Sequence, residues 1–267
     1  MTPSERHEQI LKVLDEQDKV KISSLQKMLD VTDMTIRRDL TYLEEKGLLE
    51  KIRGGAAKIK LINTENLFAN KSSQMKNEKL AIGKIVPQLL VNNDTIFINS
   101  GSTVVQVAME LNHLALKIIT NNPMLTLIDL GERTSLVLLG GEFRKESHSI
   151  VGDAAMNMLN QIYASKCIIG VDGLSMKYGL TNSSFVESSV NRKMIEQTRG
   201  KVIVVADHTK IGKVGPFLTS PIEAIDILVT TKGFPEEYFE QLINKGIKII
   251  LADELLLKQQ KEIRNEE

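Results

Sequence analysis

The sequence predicts a mixed α/β protein in two parts, with a small helical N-terminal segment followed by a larger segment built on a mostly parallel sheet. Three observations predict this. Apolar residues recur at helical spacing through the first fifty residues, and a Gly-Gly turn then separates two short strand-like runs. From about residue 77, β-type runs alternate with amphipathic helical stretches. A length of 267 residues is also more than one core usually needs.

Capping residues and apolar spacing predict three helices near the N-terminus. The first covers 4–17 with Ser4 as its N-cap, and a short second helix opens at Ser23 or Ser24. The third begins at Thr32, whose hydroxyl can cap the amides near Thr35, and it runs to the helix stop signal at Gly47.

A β-hairpin follows, with strands at 48–53 and 56–60 joined by Gly54-Gly55. Three helices and a hairpin make a winged helix-turn-helix, which we expect at 1–60. Residues 61–75 lose periodicity and are predicted to be a hinge. An α/β domain is then expected at 76–255, with a charged C-terminal tail at 256–267.

The α/β domain has seven candidate strands and several candidate helices, the pattern typical of a mostly parallel sheet. The strands are 94–98, 117–120, 135–139, 167–170, 201–206, 225–230 and 247–251, and the helices include 104–111, 184–197 and 236–245.

Composition restricts the class of protein but not its function. The chain is 42% hydrophobic and carries 34 basic and 34 acidic residues, so an interaction with nucleic acid must depend on where the charges lie. The single cysteine, Cys167, lies in an apolar run and is interpreted as a small buried hydrophobe. The sequence has no signal peptide and no run of about 18 apolar residues, so we expect a cytoplasmic protein with no membrane partner.

The third helix has two different faces. At about 100° per residue, Ile36, Leu40 and Leu43 share an apolar face, and the opposite face is polar and cationic. Such a face suits a DNA major groove, and a basic hairpin after it could contact phosphates. An alternative is that the arginines only solvate the helix. The candidate DNA-binding residues are Thr32, Met34, Thr35, Arg37, Arg38, Thr41, Lys51 and Arg53.

Polar clusters follow several predicted strands, where sheets of this class bind ligands. The segment 97–103 follows a strand and leads into a helix, so its amides can converge on an anion such as phosphate, although an ordinary turn is an alternative. Other clusters lie at 120–122, 140–141, 170–173 and 206–210. From these the candidate effector residues include Asn99, Ser100, Thr120, Asn121 and Gly141.

The residues at 31–40 read Val-Thr-Asp-Met-Thr-Ile-Arg-Arg-Asp-Leu, and they continue into 42–47 and 53–56. This sequence resembles the DeoR family of bacterial repressors, whose helix reads Val-Ser-x-x-Thr-Ile-Arg-Arg-Asp-Leu. Thr32 stands where the family usually has serine, and both residues cap helices.

The strand-end clusters resemble the sensor domain of the same family, which shares its fold with ribose-5-phosphate isomerase. The resemblance implies that Gly101, Ser102 and Thr103 hold a phosphate. It further implies that Asp172 and Glu187 face sugar hydroxyls and that Lys210 adds positive charge. Asn99 stands where family members commonly have an acidic residue.

An enzyme is the alternative class, with Glu187 as an isomerase base and the N-terminal helices serving protein contacts. The lysine followed by a glycine run that the isomerase uses is missing, and Gly-x-Gly-x-x-Gly and P-loop motifs are absent. The four histidines have no metal-ligand spacing. We therefore expect no catalytic residues, no cofactor and no metal.

These observations together predict a repressor of a sugar or sugar-alcohol utilisation operon. A phosphorylated sugar or sugar-alcohol effector would release it from double-stranded operator DNA. A homodimer or homotetramer would present paired recognition helices about 34 Å apart. An activator with the same architecture is left open.

Overall fold

The computed structural model describes residues 1–61, 68–234 and 236–253, and the chain divides into two units, Met1–Lys60 and Leu61–Glu267. The first unit contains three helices and three short strands. They are α1 (Pro3–Gln17), β1 (Lys19–Lys21), α2 (Ile22–Leu29), α3 (Asp33–Glu45), β2 (Glu50–Ile52) and β3 (Gly55–Ala57). A two-residue strand, β4 (Lys60–Leu61), spans the boundary.

Local capping by threonine marks the starts of α1 and α3 but not that of α2. Thr2, not Ser4, caps α1, because the Thr2 hydroxyl accepts the Glu5 amide at 3.3 Å and Glu5 accepts the Thr2 amide at 2.7 Å, which is a capping box. The predicted serine cap of α2 is also wrong, since Lys21 occupies the N-cap and makes no side-chain capping bond. The predicted start of α3 is confirmed, with Thr32 accepting the Thr35 amide at 3.3 Å.

The predicted hairpin is confirmed, with shorter strands than expected. β3 pairs with β2 on one side and with β1 on the other, both antiparallel, giving the order β1-β3-β2. β1 was not predicted because three residues are too few to show a strand periodicity. Apolar side chains of all three helices form the core of this unit, among them Ile36, Leu40 and Leu43.

The second unit begins with two helices, α4 (Phe68–Ser73) and α5 (Lys76–Ile85), and strands and helices then alternate. The next elements are β5 (Thr95–Ile98), α6 (Ser102–Ala108), β6 (Lys117–Thr120), β7 (Ser135–Leu138), β8 (Glu142–Arg144), β9 (Ser149–Val151) and α7 (Asp153–Leu159). They are followed by β10 (Ala164–Gly170), β11 (Gly173–Ser175), β12 (Gly179–Asn182), α8 (Phe185–Glu196) and β13 (Thr198–Val205). The last are β14 (Lys213–Val214), β15 (Phe217–Ser220), β16 (Ile227–Thr230), α9 (Glu236–Asn244) and β17 (Lys248–Leu251).

Among the described residues, seven parallel strands form the main sheet in the order β17-β16-β13-β10-β5-β6-β7. These are the seven strands that the sequence predicts. After β5, the strands β6 and β7 are added to one side of the sheet. After β10, the strands β13, β16 and β17 are added to the other side. The strand order therefore reverses between β5 and β10, and in open α/β sheets ligands bind beside the carboxyl ends of strands at such a point.

The antiparallel parts of the second unit were not predicted. β11, β12 and β15 form a small sheet, and β8 and β9 form a hairpin. Their short runs mix buried polar and apolar residues, which hides the alternation that indicates a strand. Cys167 lies buried in β10, as predicted, and burial raises the pKa of its thiol.

The stretch predicted as a hinge differs from the prediction. α4 lies within 61–75, and its first residue bonds to the α/β unit through the Phe68 amide, which donates to the Glu146 carbonyl at 2.8 Å. Residues 62–67 lie outside the described residues, as does the predicted tail at 256–267. In the part of the chain that the structure describes, no helix is both long and apolar enough to cross a membrane.

Candidate functional site

The outer face of α3 is exposed, as its sequence pattern predicts. Met34 is 80% exposed, and Arg37 and Arg38 are exposed beside it. Thr35 and Thr41 are partly exposed on the same helix. Among the described residues, Arg38 has no hydrogen-bond or ion-pair partner, so its guanidinium is available to a guanine edge.

Other candidates on this surface already have intramolecular partners. Arg37 pairs with Asp33 one turn earlier. Lys51 donates to the Thr41 hydroxyl at 3.1 Å and pairs with Glu44 at 3.2 Å, which ties the hairpin to α3. DNA binding through Lys51 therefore requires exchange of these bonds for phosphate contacts.

A buried ion pair fixes α3 against α1. Asp39 is 4% exposed and Arg6 is 8% exposed, and Arg6 Nη2 donates to Asp39 Oδ1 at 2.8 Å. His7 Nε2 lies 3.1 Å from the same oxygen and its ring stacks on Tyr42. Burial opposes ionisation of Asp39, but hydrogen bonds from Arg6 and His7 outweigh it and lower the pKa. The pair joins α1 to α3, the helix that carries Arg38.

The sequence analysis assigned no role to Asp39 or Arg6. A signal was present, because Asp39 lies on the same helical face as Ile36, Leu40 and Leu43. An acidic residue on an apolar face must find a partner.

The second unit has a pocket at the point where the strand order reverses. The loop after β5 and the first turn of α6 supply Ser100, Gly101, Ser102 and Thr103. Gly101 has φ +153° and ψ 154°, a conformation essentially restricted to glycine. Since Ser102 and Thr103 begin α6, their N–H groups have no acceptor within the helix.

Among the described residues that line this pocket, three are lysines: Lys71 from α4, Lys79 from α5 and Lys210 from the turn after β13. Lys79 is 4% exposed, and its ammonium donates to the carbonyls of Lys71 and Gln74, the latter at 2.7 Å. Burial lowers the pKa of both Lys79 and Lys210. An anion entering the pocket would offset this cost of burying positive charge.

Two carboxylates face the lysines. Asp172 follows β10 and accepts Lys71 Nζ at 2.5 Å and the Ser183 hydroxyl at 2.7 Å. Burial opposes its ionisation, but Lys71 outweighs this and lowers the Asp172 pKa. Glu187 on α8 accepts the Ser149 hydroxyl at 3.1 Å, and burial raises its pKa. One carboxyl is therefore held charged while the other is biased toward its neutral form.

Four candidate effector residues lie outside the pocket lining. Asn99 joins the end of β5 to β10: its side-chain amide donates to the Gly170 carbonyl and its side-chain oxygen accepts the Gly170 amide, each at 2.9 Å. Asn121 holds the β8–β9 hairpin by donating to the Ile150 carbonyl at 3.1 Å. Thr120 is buried and accepts the Asn122 amide. A Cβ on Gly141 would lie 2.4 Å from the Val151 carbonyl oxygen, so this glycine allows close packing.

Some lining residues were missed by the sequence analysis. Phe68 and Lys71 fall in the predicted hinge, and Lys79 falls in a helix that was not predicted. Ser147, Asn182 and Asn191 come from the unpredicted antiparallel elements and from α8. A lysine among apolar residues, as at Lys79, was the available signal, since lysine is rarely buried without a function or a partner.

The pocket can hold a small anion together with hydroxyl groups. The loop amides, hydroxyls and lysines donate, and the carboxylates accept. Within residues 1–61, 68–234 and 236–253, no group of three or more His, Cys, Asp or Glu residues is arranged to hold a metal ion.

A helix-turn-helix unit with an exposed cationic helix, joined to an α/β unit with a polar ligand pocket, defines the class of ligand-responsive transcriptional regulators. The chain belongs to the DeoR family. The model of the DeoR-like helix-turn-helix domain matches residues 6–61, and that of the DeoR C terminal sensor domain matches residues 74–232.

Curated relatives match nearly the whole chain. The HTH-type transcriptional regulator GolR of Listeria innocua is 30% identical over 258 residues, 95% of this chain and 100% of the relative. The HTH-type transcriptional repressor GlcR of Bacillus subtilis is 28% identical and covers 95% of this chain and 98% of its own length. Both relatives are named as transcriptional regulators or repressors, and neither is named as an enzyme.

Solved structures align with about half of the chain. One is a D-ribose-5-phosphate isomerase in complex with phospho-erythronic acid, at 12% identity and a TM-score of 0.38, covering 51% of this chain and 54% of that one. The ribose 5-phosphate isomerase of Methanocaldococcus jannaschii is 15% identical at the same TM-score and coverage. This level of similarity is too low to bear on function.

Proposed function

We propose that the protein is a sequence-specific repressor of a sugar or sugar-alcohol utilisation operon, released from its operator by a phosphorylated effector. The observation that carries the proposal is the pocket where the strand order reverses. Its lining combines three lysines and the loop 100–103 with the carboxylates of Asp172 and Glu187. A sugar phosphate has the anion and hydroxyls that this set of donors and acceptors fits.

In this proposal α3 lies in the major groove. Arg38, Met34 and Thr41 contact base edges, and Thr32, Thr35 and Arg37 approach the backbone near the start of the helix. Lys51 and Arg53 on the hairpin contact phosphates, which makes binding dependent on salt.

The effector's phosphate would bind to the amides and hydroxyls of Gly101, Ser102 and Thr103, with Lys210 balancing its charge. Its hydroxyls would bond to Asp172 and Glu187. A switch also requires that the effector prefer the low-affinity arrangement by a few kcal/mol, since equal affinity for both arrangements shifts nothing.

The protein would act in the cytoplasm as a homodimer or homotetramer, because one short recognition helix reads too few base pairs for operator specificity. Two subunits would present their helices about one DNA turn, ~34 Å, apart. Analytical ultracentrifugation of the full chain tests this arrangement, and a monomer on operator DNA would contradict it.

The DNA-binding part is tested with Arg38→Ala. The operator is first selected from a random duplex library with the full chain, and affinity is measured by fluorescence anisotropy. Loss of a bidentate base contact costs about 1–3 kcal/mol, roughly a 5- to 150-fold weaker affinity, with an unchanged melting temperature. Lys12→Ala, an exposed lysine on α1, is the matched control. Equal affinity of the Arg38 variant and the control would refute the role of α3.

The sensing part is tested by adding aldose, ketose and alditol phosphates to the operator complex, with their unphosphorylated forms as controls. Release by a phosphorylated compound alone supports the proposal. Indifference to both forms contradicts it. In vitro transcription from the selected operator then separates a repressor from an activator.

A further inference from the structure

Several contacts of α4 involve residues that line the pocket. Lys71 pairs with Asp172, while Phe68 lines the pocket and stacks on His148 with ring centroids 4.9 Å apart. Lys79, which also lines the pocket, donates from its ammonium to the backbone carbonyls of Lys71 in α4 and of Gln74 just after it. The position of α4 therefore depends on groups that a ligand would contact.

The other contacts of α4 come from Phe68, which packs against the hydrophobic core of the α/β unit and whose amide donates to the Glu146 carbonyl at 2.8 Å. The helix is six residues long and has no buried residue. A helix this short is not stable by itself, and segments with few buried apolar contacts open at low free-energy cost. Loss of the lysine contacts would leave mainly the Phe68 interactions to fix the segment.

A ligand in the pocket competes directly for those lysine contacts. Asp172 Oδ2 already accepts the amide and hydroxyl of Ser183, and Oδ1 accepts Lys71. A sugar hydroxyl that donates to Oδ1 shares or displaces Lys71. A phosphate near the loop 100–103 attracts Lys79, because an anion binds a lysine more strongly than a neutral carbonyl does. The same phosphate competes with the Asp172 carboxylate for Lys71, and it carries more negative charge than one carboxylate does.

α4 also lies close in sequence to the DNA-binding unit. Only residues 61–67 separate it from Lys60, the last residue of the DNA-binding unit. A change in α4 therefore has only a short stretch of chain to cross before it reaches the DNA-binding unit.

We propose that Lys71 is an effector ligand and that α4 is the element that reports pocket occupancy to the DNA-binding unit. Binding transfers Lys71 from Asp172 to the phosphate, draws Lys79 from the carbonyls of Lys71 and Gln74, and loosens α4. This inference rests on the proposed function, since it assumes an anionic ligand in the same pocket.

The test is hydrogen–deuterium exchange of the full chain with and without saturating inorganic phosphate at constant ionic strength. Two segments are followed. Slower exchange at 101–105 reports anion binding, and faster exchange at 69–75, by about tenfold for the loss of one charge-assisted hydrogen bond, reports the release of α4. Lys84→Met, an exposed lysine on α5, should behave as the wild type does.

Lys71→Met should keep the slower exchange at 101–105, exchange faster at 69–75 already without phosphate, and show a smaller phosphate response there, the remainder coming from Lys79; Lys71→Arg should restore the wild-type response. Protection at 101–105 with no change at 69–75 overturns the role of α4 while the anion site stands. The same response in Lys71→Met as in the wild type overturns the role of Lys71. No change in either segment overturns both the anion site and the inference.

Discussion

The buried pair between Asp39 and Arg6 makes the DNA-binding unit sensitive to one substitution, Asp39→Ala. The two side chains are only 6% and 10% exposed, so the change leaves the Arg6 charge buried without its partner. Breaking a buried pair in this way costs about 3–5 kcal/mol. A unit of the size of Met1–Lys60 has a free energy of unfolding of about 3–9 kcal/mol. We therefore expect the substitution to remove most of its stability.

The assay is urea denaturation followed by circular dichroism and by limited proteolysis, which shows which unit unfolds first. Asp33→Ala is the matched control, because Asp33 pairs with Arg37 on the same helix but both are about half exposed or more. An exposed pair contributes at most about 1 kcal/mol. The double variant Arg6→Met, Asp39→Leu should recover most of the loss, since apolar residues can replace a buried ion pair.

The pH dependence provides an independent check. The pKa of Asp39 is lowered in the folded protein, so the pair stabilises fully above the ordinary carboxyl pKa of about 4, and this contribution is lost as pH falls through the lowered value. Asp39→Ala should lack that acid loss. If Asp39→Ala and Asp33→Ala unfold at the same urea concentration, the pair does not hold α3 in place.

Three further predictions concern the α/β unit. Gly141→Ala should destabilise the protein by about 1–3 kcal/mol, because position 141 has a positive φ and the added Cβ would meet the Val151 carbonyl. Gly140→Ala is the control, since its Cβ would make only an ordinary contact with Met158 and should change the melting temperature little. Equal melting temperatures of the two variants would contradict this. Burial raises the pKa of Glu187, so its neutral carboxyl contributes stability at acid pH, and this contribution is lost as pH rises through the raised pKa. Glu187→Gln should therefore have a higher melting temperature than the wild type at neutral pH, and the difference should vanish at acid pH. Cys167 should react with a thiol reagent more than about a hundredfold slower in the native than in the urea-unfolded chain, because burial raises its pKa and blocks access, and fast native labelling would show that β10 is not buried.

The sequence by itself determined the elements whose signals are local. Thr32 caps α3 through bonds three residues away, and the period of Ile36, Leu40 and Leu43 fixed its buried face. The seven parallel strands were found because strands covered on both faces are continuous apolar runs. The motif around Arg37 and Arg38 was long enough to identify the family.

Only the tertiary structure decided which polar residues share the pocket. Thr120 ends β6 and Gly141 follows β7, in the same sheet as the strand before Gly101, but neither β6 nor β7 borders the reversal between β5 and β10. Lys71 and Asp172 are far apart in the chain and meet because α4 lies at the rim of the pocket. Strand order and helix placement arise from packing between distant segments, and a periodicity within one segment contains no information about them.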